Sequence, residues 1–370
     1  DCFARTDQPP FDRSPLDGYA ARHEDLAAAG PGTPAVLTVT QKIYAGDTPE
    51  KPVGPGEAAR VATGAPLPPG TDCVAAQEDT DRGEERVEVY ISLGRHQNYV
   101  FRGEDLRAGY RIVEKGTRLK SAHIGVLAGQ GIRELQVFPR PRVGVLSVGS
   151  ELCPFETPLR PLPGMIYDSN SWTLAARIRE MGGEPRVAKR AEDDPSRIAA
   201  ALEDLLEENV LVVTAGGVSV GERDYMPLAG ERLGAAPLFH GLGYKPGGIT
   251  LALLKSGKPI LCLSGNPFAA FMSFELLAGP VLGKLAGLKE PRLARLRAVL
   301  RGDFPKPSPN RRFLRGRLSG GEVFVEKKGH ASGSLFSLTR CNCLIDIPAA
   351  SPPLPDGSAV DVVPLQEAGV

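Results

Sequence analysis

Apolar positions along this chain change their rhythm from one stretch to the next. Residues 26–100 are short Val-, Ile- and Thr-rich runs, such as 35–40 and 86–91, separated by Gly-Pro turns. That pattern predicts an all-β module. Residues 142–286 read differently. An apolar run at 143–148 ends in Gly149-Ser150-Glu151, and helical spacing follows over 172–181 with Gly182-Gly183 as its stop. A second helix is predicted over 195–208, amphipathic through Ile198, Leu202, Leu205 and Leu206. Buried-strand patterns at 210–214 and 259–263 end in Ala215-Gly216-Gly217 and Ser264-Gly265-Asn266-Pro267, and 268–285 reads as a long apolar helix. Strands alternating with helices predict a parallel, doubly wound sheet.

Beyond residue 289 the β rhythm returns with Pro-rich turns, which predicts a small barrel or sandwich. Residues 101–140 are mixed and read as a connecting domain shared with residues 1–25. The expected organisation is therefore connecting domain 1–25 plus 101–140, inserted β domain 26–100, α/β domain 141–288 and C-terminal β-barrel domain 289–370. No internal repeat or low-complexity tract interrupts it.

Composition narrows the function. Lys plus Arg equals Asp plus Glu at 44 each, which argues against a general nucleic-acid or membrane-surface binder. No apolar run is read as approaching the roughly 20 residues of a membrane span, and no secretory leader is expected ahead of Asp1. The six cysteines are scattered without Cys-x-x-Cys pairs, so they read as small core hydrophobes of a reducing, cytoplasmic compartment. Five distant histidines suggest neither a zinc site nor a His-based nucleophile.

Three predicted strands end in glycine-bearing turns at 149–151, 215–219 and 264–267. In an open parallel sheet the ligand crevice lies outside the carboxyl ends of the strands. Any one turn reads first as a tight turn. Three on one edge point to a phosphate or another oxyanion, with Asn266 as helix cap and Pro267 at the first helical position. Gly216 and Gly221 have P-loop spacing, but Glu222-Arg223 stands where Lys-Ser/Thr is required, and no strand is followed by Gly-x-Gly-x-x-Gly. Glu151, Asp193, Asp194 and Asp224 accompany the turns, a set suited to Mg²⁺ beside phosphate. For Asp194, followed by Pro195, helix capping is at least as good a reading as catalysis. Lys245 is a candidate anion anchor. Residues 289–317 carry ten Lys or Arg against two acids, read as a solvated face from which an arginine or two could reach an anionic ligand.

Several stretches taken together resemble one family. Pro9-Pro10-Phe11-Asp12, Ser14-Pro15-Leu16-Asp17-Gly18-Tyr19-Ala20, Thr63-Gly64-Ala65-Pro66, Gln77-Glu78-Asp79 and Arg102-Gly103-Glu104-Asp105 are similar to motifs of the MoeA and gephyrin E-domain molybdotransferases. So are Tyr167-Asp168-Ser169-Asn170, Lys245-Pro246-Gly247 and Gly265-Asn266-Pro267, with residues 147–152, 216–224, 313–316 and 332–338. The resemblance implies a molybdopterin molybdenumtransferase that places molybdate on adenylylated molybdopterin and releases AMP with Mg²⁺ assistance. It implies functional acids at Asp17, Asp105, Glu151, Asp194 and Asp224, with Glu151 and Asp224 on Mg²⁺. Thr63, Asp168, Gly216, Gly217, Ser219, Gly265, Asn266 and Pro267 would bind the pterin phosphate or AMP, and Lys245, Arg315 and Ser332 would meet molybdate. It further implies a homodimer with a shared cleft, working beside the adenylyltransferase and the apo-molybdoenzymes.

Two departures stand out: Gly248 replaces the second Lys of Lys-Pro-Gly-Lys, and Ser150 replaces the Asp of Gly-Asp-Glu-Leu. The family's N-terminal helical segment is also expected to be missing. The alternatives kept open are the preceding adenylyl transfer to molybdopterin, which the four-domain layout disfavours, and a non-catalytic scaffold, which the retained acids disfavour.

Overall fold

The computed structural model describes residues 1–153, 163–218, 225–325 and 331–365. It divides into two compact units, Asp1–Gln136 and Val137–Val370.

In the first unit, five strands form one mixed sheet: β1 (Gly18–Ala21), β2 (Ala35–Ile43), β3 (Glu57–Val61), β4 (Cys73–Ala76) and β5 (Arg86–Val89), in the order β4-β1-β3-β2-β5. The side-chain period of two sends Tyr19 and Ala21 to one apolar cluster and Ala20 to another. Gly18 permits the close β1–β4 approach, because a Cβ there would lie 1.9 Å from the Ala75 carbonyl oxygen. Strand β1 lies inside this sheet, so the β module reaches back beyond residue 26. Cys2–Phe3 pairs with Arg111–Val113, and the Gln130 side chain accepts from the Arg5 and Thr6 amides at 2.9 and 3.1 Å. Residues from the two ends of the unit thus meet.

The second unit opens with the α/β sheet: β6 (Arg142–Ser147), β7 (Glu184–Val187), β8 (Leu211–Ala215), β9 (Ala236–His240), β10 (Leu251–Lys255) and β11 (Lys258–Leu263). Its order is β7-β6-β8-β11-β10-β9. The first four strands are parallel; β10 and β9 are antiparallel additions, so the sheet is mixed where a purely parallel one was expected. Helix Pro195–Glu208 buries Ile198, Leu202, Leu205 and Leu206 on one face of the sheet. Helix Asn170–Glu180 and the helical stretch from Pro267 to Leu285 cover the other face, with Leu174, Ile178, Phe274 and Leu282 in the core.

That last stretch is 19 residues long and apolar enough to cross a membrane by length and composition, which corrects the expectation that no run comes near that length. Half of it is buried within the fold, and a π-helical turn at Phe274–Ala278 places Glu275 in the core. There the carboxylate meets Arg177 through two bonds, 2.6 and 3.0 Å long.

The C-terminal strands are β12 (Leu296–Arg301), β13 (Arg311–Ser319), β14 (Glu322–Val325), β15 (Cys343–Ile347) and β16 (Ala359–Pro364). Strand β13 pairs with both β14 and β15, which closes a five-stranded barrel around Leu300, Leu314, Val323, Ile345 and Val362. Four of the ten cations on the expected solvated basic face make ion pairs while staying partly exposed. Arg295 and Arg311 both hold Asp346, which is 3% exposed; Arg297 reaches Asp361, and Arg301 reaches Glu322 and Asp356. All six cysteines are free, four of them buried.

Candidate functional site

From β6 the chain winds outward to β7, then returns to β8 on the other side of β6. The switch point therefore lies beyond the carboxyl ends of β6 and β8. All three glycine turns arrive there. The Val148 amide donates to the Ala215 carbonyl at 2.9 Å, and the Gly216 amide to the Leu263 carbonyl at 3.0 Å. Gly216 has φ +99°, and a Cβ on it would stand 2.1 Å from the Val148 carbonyl oxygen. Only glycine fits that crossing. Gly265 comes close enough that a Cβ on it would lie 3.5 Å from the Gly216 Cα.

Asp168 is fixed at this edge. Its Oδ1 accepts from the Ser147 hydroxyl at 2.8 Å and the Ser171 amide at 3.0 Å, while the two serine hydroxyls lie 2.7 Å apart. No bond to Oδ2 is recorded among the described residues. Asn170 donates its side-chain amide to the Gly265 carbonyl at 2.8 Å, tying the helix start to the third turn. Sequence reasoning nominated Asp168 but missed Ser147 and Ser171. The sole signals were the place of Ser147 at a strand end and of Ser171 directly after Tyr167-Asp168-Ser169-Asn170.

The expected side-chain cap by Asn266 is absent. Its backbone amide faces the Ser264 hydroxyl at 3.3 Å, and the Phe268 amide is taken by the Ser332 carbonyl at 2.9 Å. Pro267 does occupy the first helical turn. Thus one free amide of the helix start serves the fold, and Ser332 lies against it.

The acids divide by what their oxygens do. Glu151 is exposed in the turn after β6, with its carboxylate folded toward Gly149. Asp194 accepts from the Arg197 amide at 2.8 Å and caps helix Pro195–Glu208. Asp193 instead exchanges backbone-to-side-chain bonds with Ser150, at 3.3 and 3.4 Å. In the first unit, Asp17 accepts both the amide and the hydroxyl of Thr63, at 2.6 and 2.9 Å. The Thr63 amide, then its hydroxyl, with a smaller contribution from Arg60, hold the Asp17 carboxyl below its usual range. Asp105 is exposed elsewhere in that unit, where its amide bonds the Gln8 carbonyl. Ser219 and Asp224 lie outside the described residues. Residues 217–221 also carry a Gly-x-Ser-x-Gly spacing, in a stretch only partly described.

Lys245 is exposed on a short strand, Tyr244–Lys245, that runs parallel to the start of β13 with Lys245 opposite Arg312. Arg315, nominated for molybdate, is 1% exposed. Its guanidinium stacks 3.9 Å from the Phe268 ring centre and donates to the Ser334 carbonyl, the Ser337 hydroxyl and the Ala331 carbonyl at 2.6, 2.6 and 3.0 Å. Burial lowers its pKa.

A doubly wound domain with an anion-suited switch point, preceded in the chain by a β module and followed by a five-stranded barrel, defines a multidomain ligand-binding protein. Three family models account for most of the chain. The MoeA N-terminal region (domain I and II) matches residues 1–131, a "Probable molybdopterin binding domain" residues 144–284, and the MoeA C-terminal region (domain IV) residues 297–365. The molybdopterin molybdenumtransferases of Staphylococcus aureus and Staphylococcus epidermidis are 32% and 33% identical, each over 98% of this chain and 87% of the relative. A molybdopterin biosynthesis MoeA protein from Pyrococcus horikoshii OT3 has 30% identity and a TM-score of 0.85, covering 98% of this chain and 90% of that one. The chain belongs to the MoeA family of molybdopterin molybdenumtransferases, and it is an enzyme of molybdenum-cofactor biosynthesis.

Proposed function

We propose that the chain transfers molybdenum from molybdate to adenylylated molybdopterin, releasing AMP and leaving the molybdenum cofactor. The convergence of three glycine turns on the Asp168–Ser147–Ser171 network carries this reading. Turn amides and a helix start suit phosphate oxygens, and Asp168 offers a fixed acceptor to the N–H groups of a pterin. Gly216, Gly217, Gly265, Asn266 and Pro267 would form the phosphate side of the crevice, with Ser219 beside them. Lys245 would meet molybdate, or tungstate, whose size and charge are nearly the same. Asp17, oriented by Thr63, would contribute from the first unit, and Asp105 would be the second acid of that unit.

Mg²⁺ fits the oxygen chemistry of this edge. No group of three His, Cys, Asp or Glu forms a ready cage among the described residues. Mg²⁺ does not need one, since one or two carboxylates with phosphate and water oxygens satisfy it. Glu151, with Asp224, would hold the ion, whose charge would offset that of the phosphoanhydride. Glu151 and Asp17 would serve one cleft from different subunits of a cytoplasmic homodimer. The adenylyltransferase would supply its substrate, and apo-molybdoenzymes would accept its product.

Incubation with adenylylated molybdopterin, Mg²⁺ and molybdate, following AMP release and cofactor formation, tests the reading. Turnover is expected, with Glu151→Ala cutting AMP release far more than ligand binding. Tight binding without turnover would favour a scaffold.

A further inference from the structure

The strand Tyr244–Lys245 and the start of β13 enclose a cleft of about 210 Å³, lined by Lys245, Pro246, Phe268, Arg312, Phe313 and Leu314. We infer that Arg312 of the barrel supplies the second cation of the molybdate pocket, beside Lys245 in this cleft. The inference rests on the assignment of Lys245 to molybdate and deepens it.

The first observation is what Arg312 lacks. Its neighbour Arg311 grips Asp346 through two bonds, 2.8 and 2.6 Å long. Arg312 has no carboxylate partner among the described residues, and its Nε is buried without a hydrogen-bond acceptor. Its guanidinium lies 5.8 Å from the Phe304 ring centre, a weak anchor beside an ion pair. A buried donor without a partner is costly unless something else satisfies it. The cleft that Arg312 helps to line has one other cation, Lys245, and no acid among its lining residues.

The second observation is register. Lys245 pairs directly with Arg312 in the parallel ladder. The two stems therefore leave adjacent strands at the same level, while Pro246, Phe268 and Phe313 give the cleft apolar walls that strengthen charge attraction. A tetrahedral dianion between an ammonium and a guanidinium would have both charges balanced and would find several donors.

The third observation concerns Gly248. A Cβ there would lie 2.4 Å from the Tyr244 carbonyl oxygen and 2.6 Å from that of Leu242, both backbone atoms. The loop as folded has no room for a lysine at 248, so any second charge would come from another element. The loop is held in this shape by the Thr250 hydroxyl on the Gly247 carbonyl at 2.8 Å and by Tyr244 on Ser273 at 3.1 Å.

The test is equilibrium dialysis of the full chain against molybdate, with bound molybdenum counted by elemental analysis and adenylylated molybdopterin binding measured in parallel. Arg312→Ala and Arg312→Gln are each expected to raise the molybdate Kd about tenfold, the scale of one charge-assisted contact. Arg312→Lys should recover part of that loss, and affinity for adenylylated molybdopterin should stay within about twofold of the parent. The Gln variant keeps most of the stem, so a fall in folding stability confined to Ala cannot mimic the result. If Arg312→Gln binds molybdate like the parent while Lys245→Ala loses it, the inference is overturned and the Lys245 assignment stands. If neither change matters, both fail. Inorganic phosphate that competes as well as tungstate would overturn the molybdate assignment in favour of a substrate phosphate.

Discussion

The carboxyl edge of the α/β sheet and the outer strand of the barrel both collect polar groups, yet they spend them differently. At the sheet edge, Asp168 is oriented by Ser147 and Ser171 through one oxygen alone. On β13, Arg311 gives two donors to Asp346, and Arg315 gives three to the Ala331 and Ser334 carbonyls and the Ser337 hydroxyl. The contrast teaches that a polar side chain's remaining hydrogen-bonding capacity separates a ligand-facing role from a structural one better than residue type does. By that measure Arg312 groups with Asp168, whereas at least three of the five donors of Arg315 are committed to the fold.

The largest expected effect lies on the structural side. Arg315→Ala removes a buried cation, leaves its acceptors unpaired and strips the contact from Phe268. It should lower unfolding free energy by about 3 kcal/mol or more, since three acceptors lose their donor at about 1–3 kcal/mol for each that is left buried and unpaired, measured by urea melts. Stability within about 0.5 kcal/mol of the parent would return Arg315 to the pool of ligand residues. Next comes Gly216→Ala. Both its φ and the 2.1 Å approach to Val148 oppose a side chain, and a loss of about 2–3 kcal/mol is expected. A silent substitution there would mean that the switch point can relax and is not preorganised.

Asp194 gives a smaller and sharper test, because capping and catalysis predict opposite outcomes for one variant. As a cap, Asp194→Asn should leave both stability and turnover near the parent, while Asp194→Ala costs about 1 kcal/mol. If Asn abolishes AMP release in a chain that melts normally, the acid has a chemical role beyond its cap.

Much of the fold could be read from local pattern. Helix Pro195–Glu208 falls where periodicity, the Asp194 cap and Pro195 placed it, since all three signals lie within the element. Strand β9 gave no such signal. Its residues are mostly exposed, without alternation, and it joins the sheet as an antiparallel edge. Glu275 was hidden in an apolar helical run, because its partner Arg177 lies 98 positions away. The site followed the same division. The glycine turns were legible because strand ends announce them, whereas the commitment of Arg315 and the freedom of Arg312 depend on barrel closure, which a run of charges does not encode.

The distinction extends to the first unit in the smallest effect expected here. Asp17 receives the Thr63 amide and hydroxyl on one oxygen, and these bonds set its carboxyl below the ordinary 3.8. A group whose folded pKa is depressed adds stability above its unfolded pKa and loses it as pH falls through the folded value. The relevant window is therefore acidic, below about pH 4, and Asp17 is ionised at neutral pH. Thr63→Val keeps the amide bond and deletes the hydroxyl, so the Asp17 pKa should rise toward 3.8 without reaching it. A carboxyl-carbon NMR titration of both chains reads this directly. If Asp17 is oriented for chemistry, turnover at neutral pH should also fall in Thr63→Val although the carboxylate stays charged, because its direction rather than its charge has changed. An unmoved pKa would show that the hydroxyl bond is absent in solution. A raised pKa with full turnover would place Asp17, like Arg315, among the groups that serve the fold.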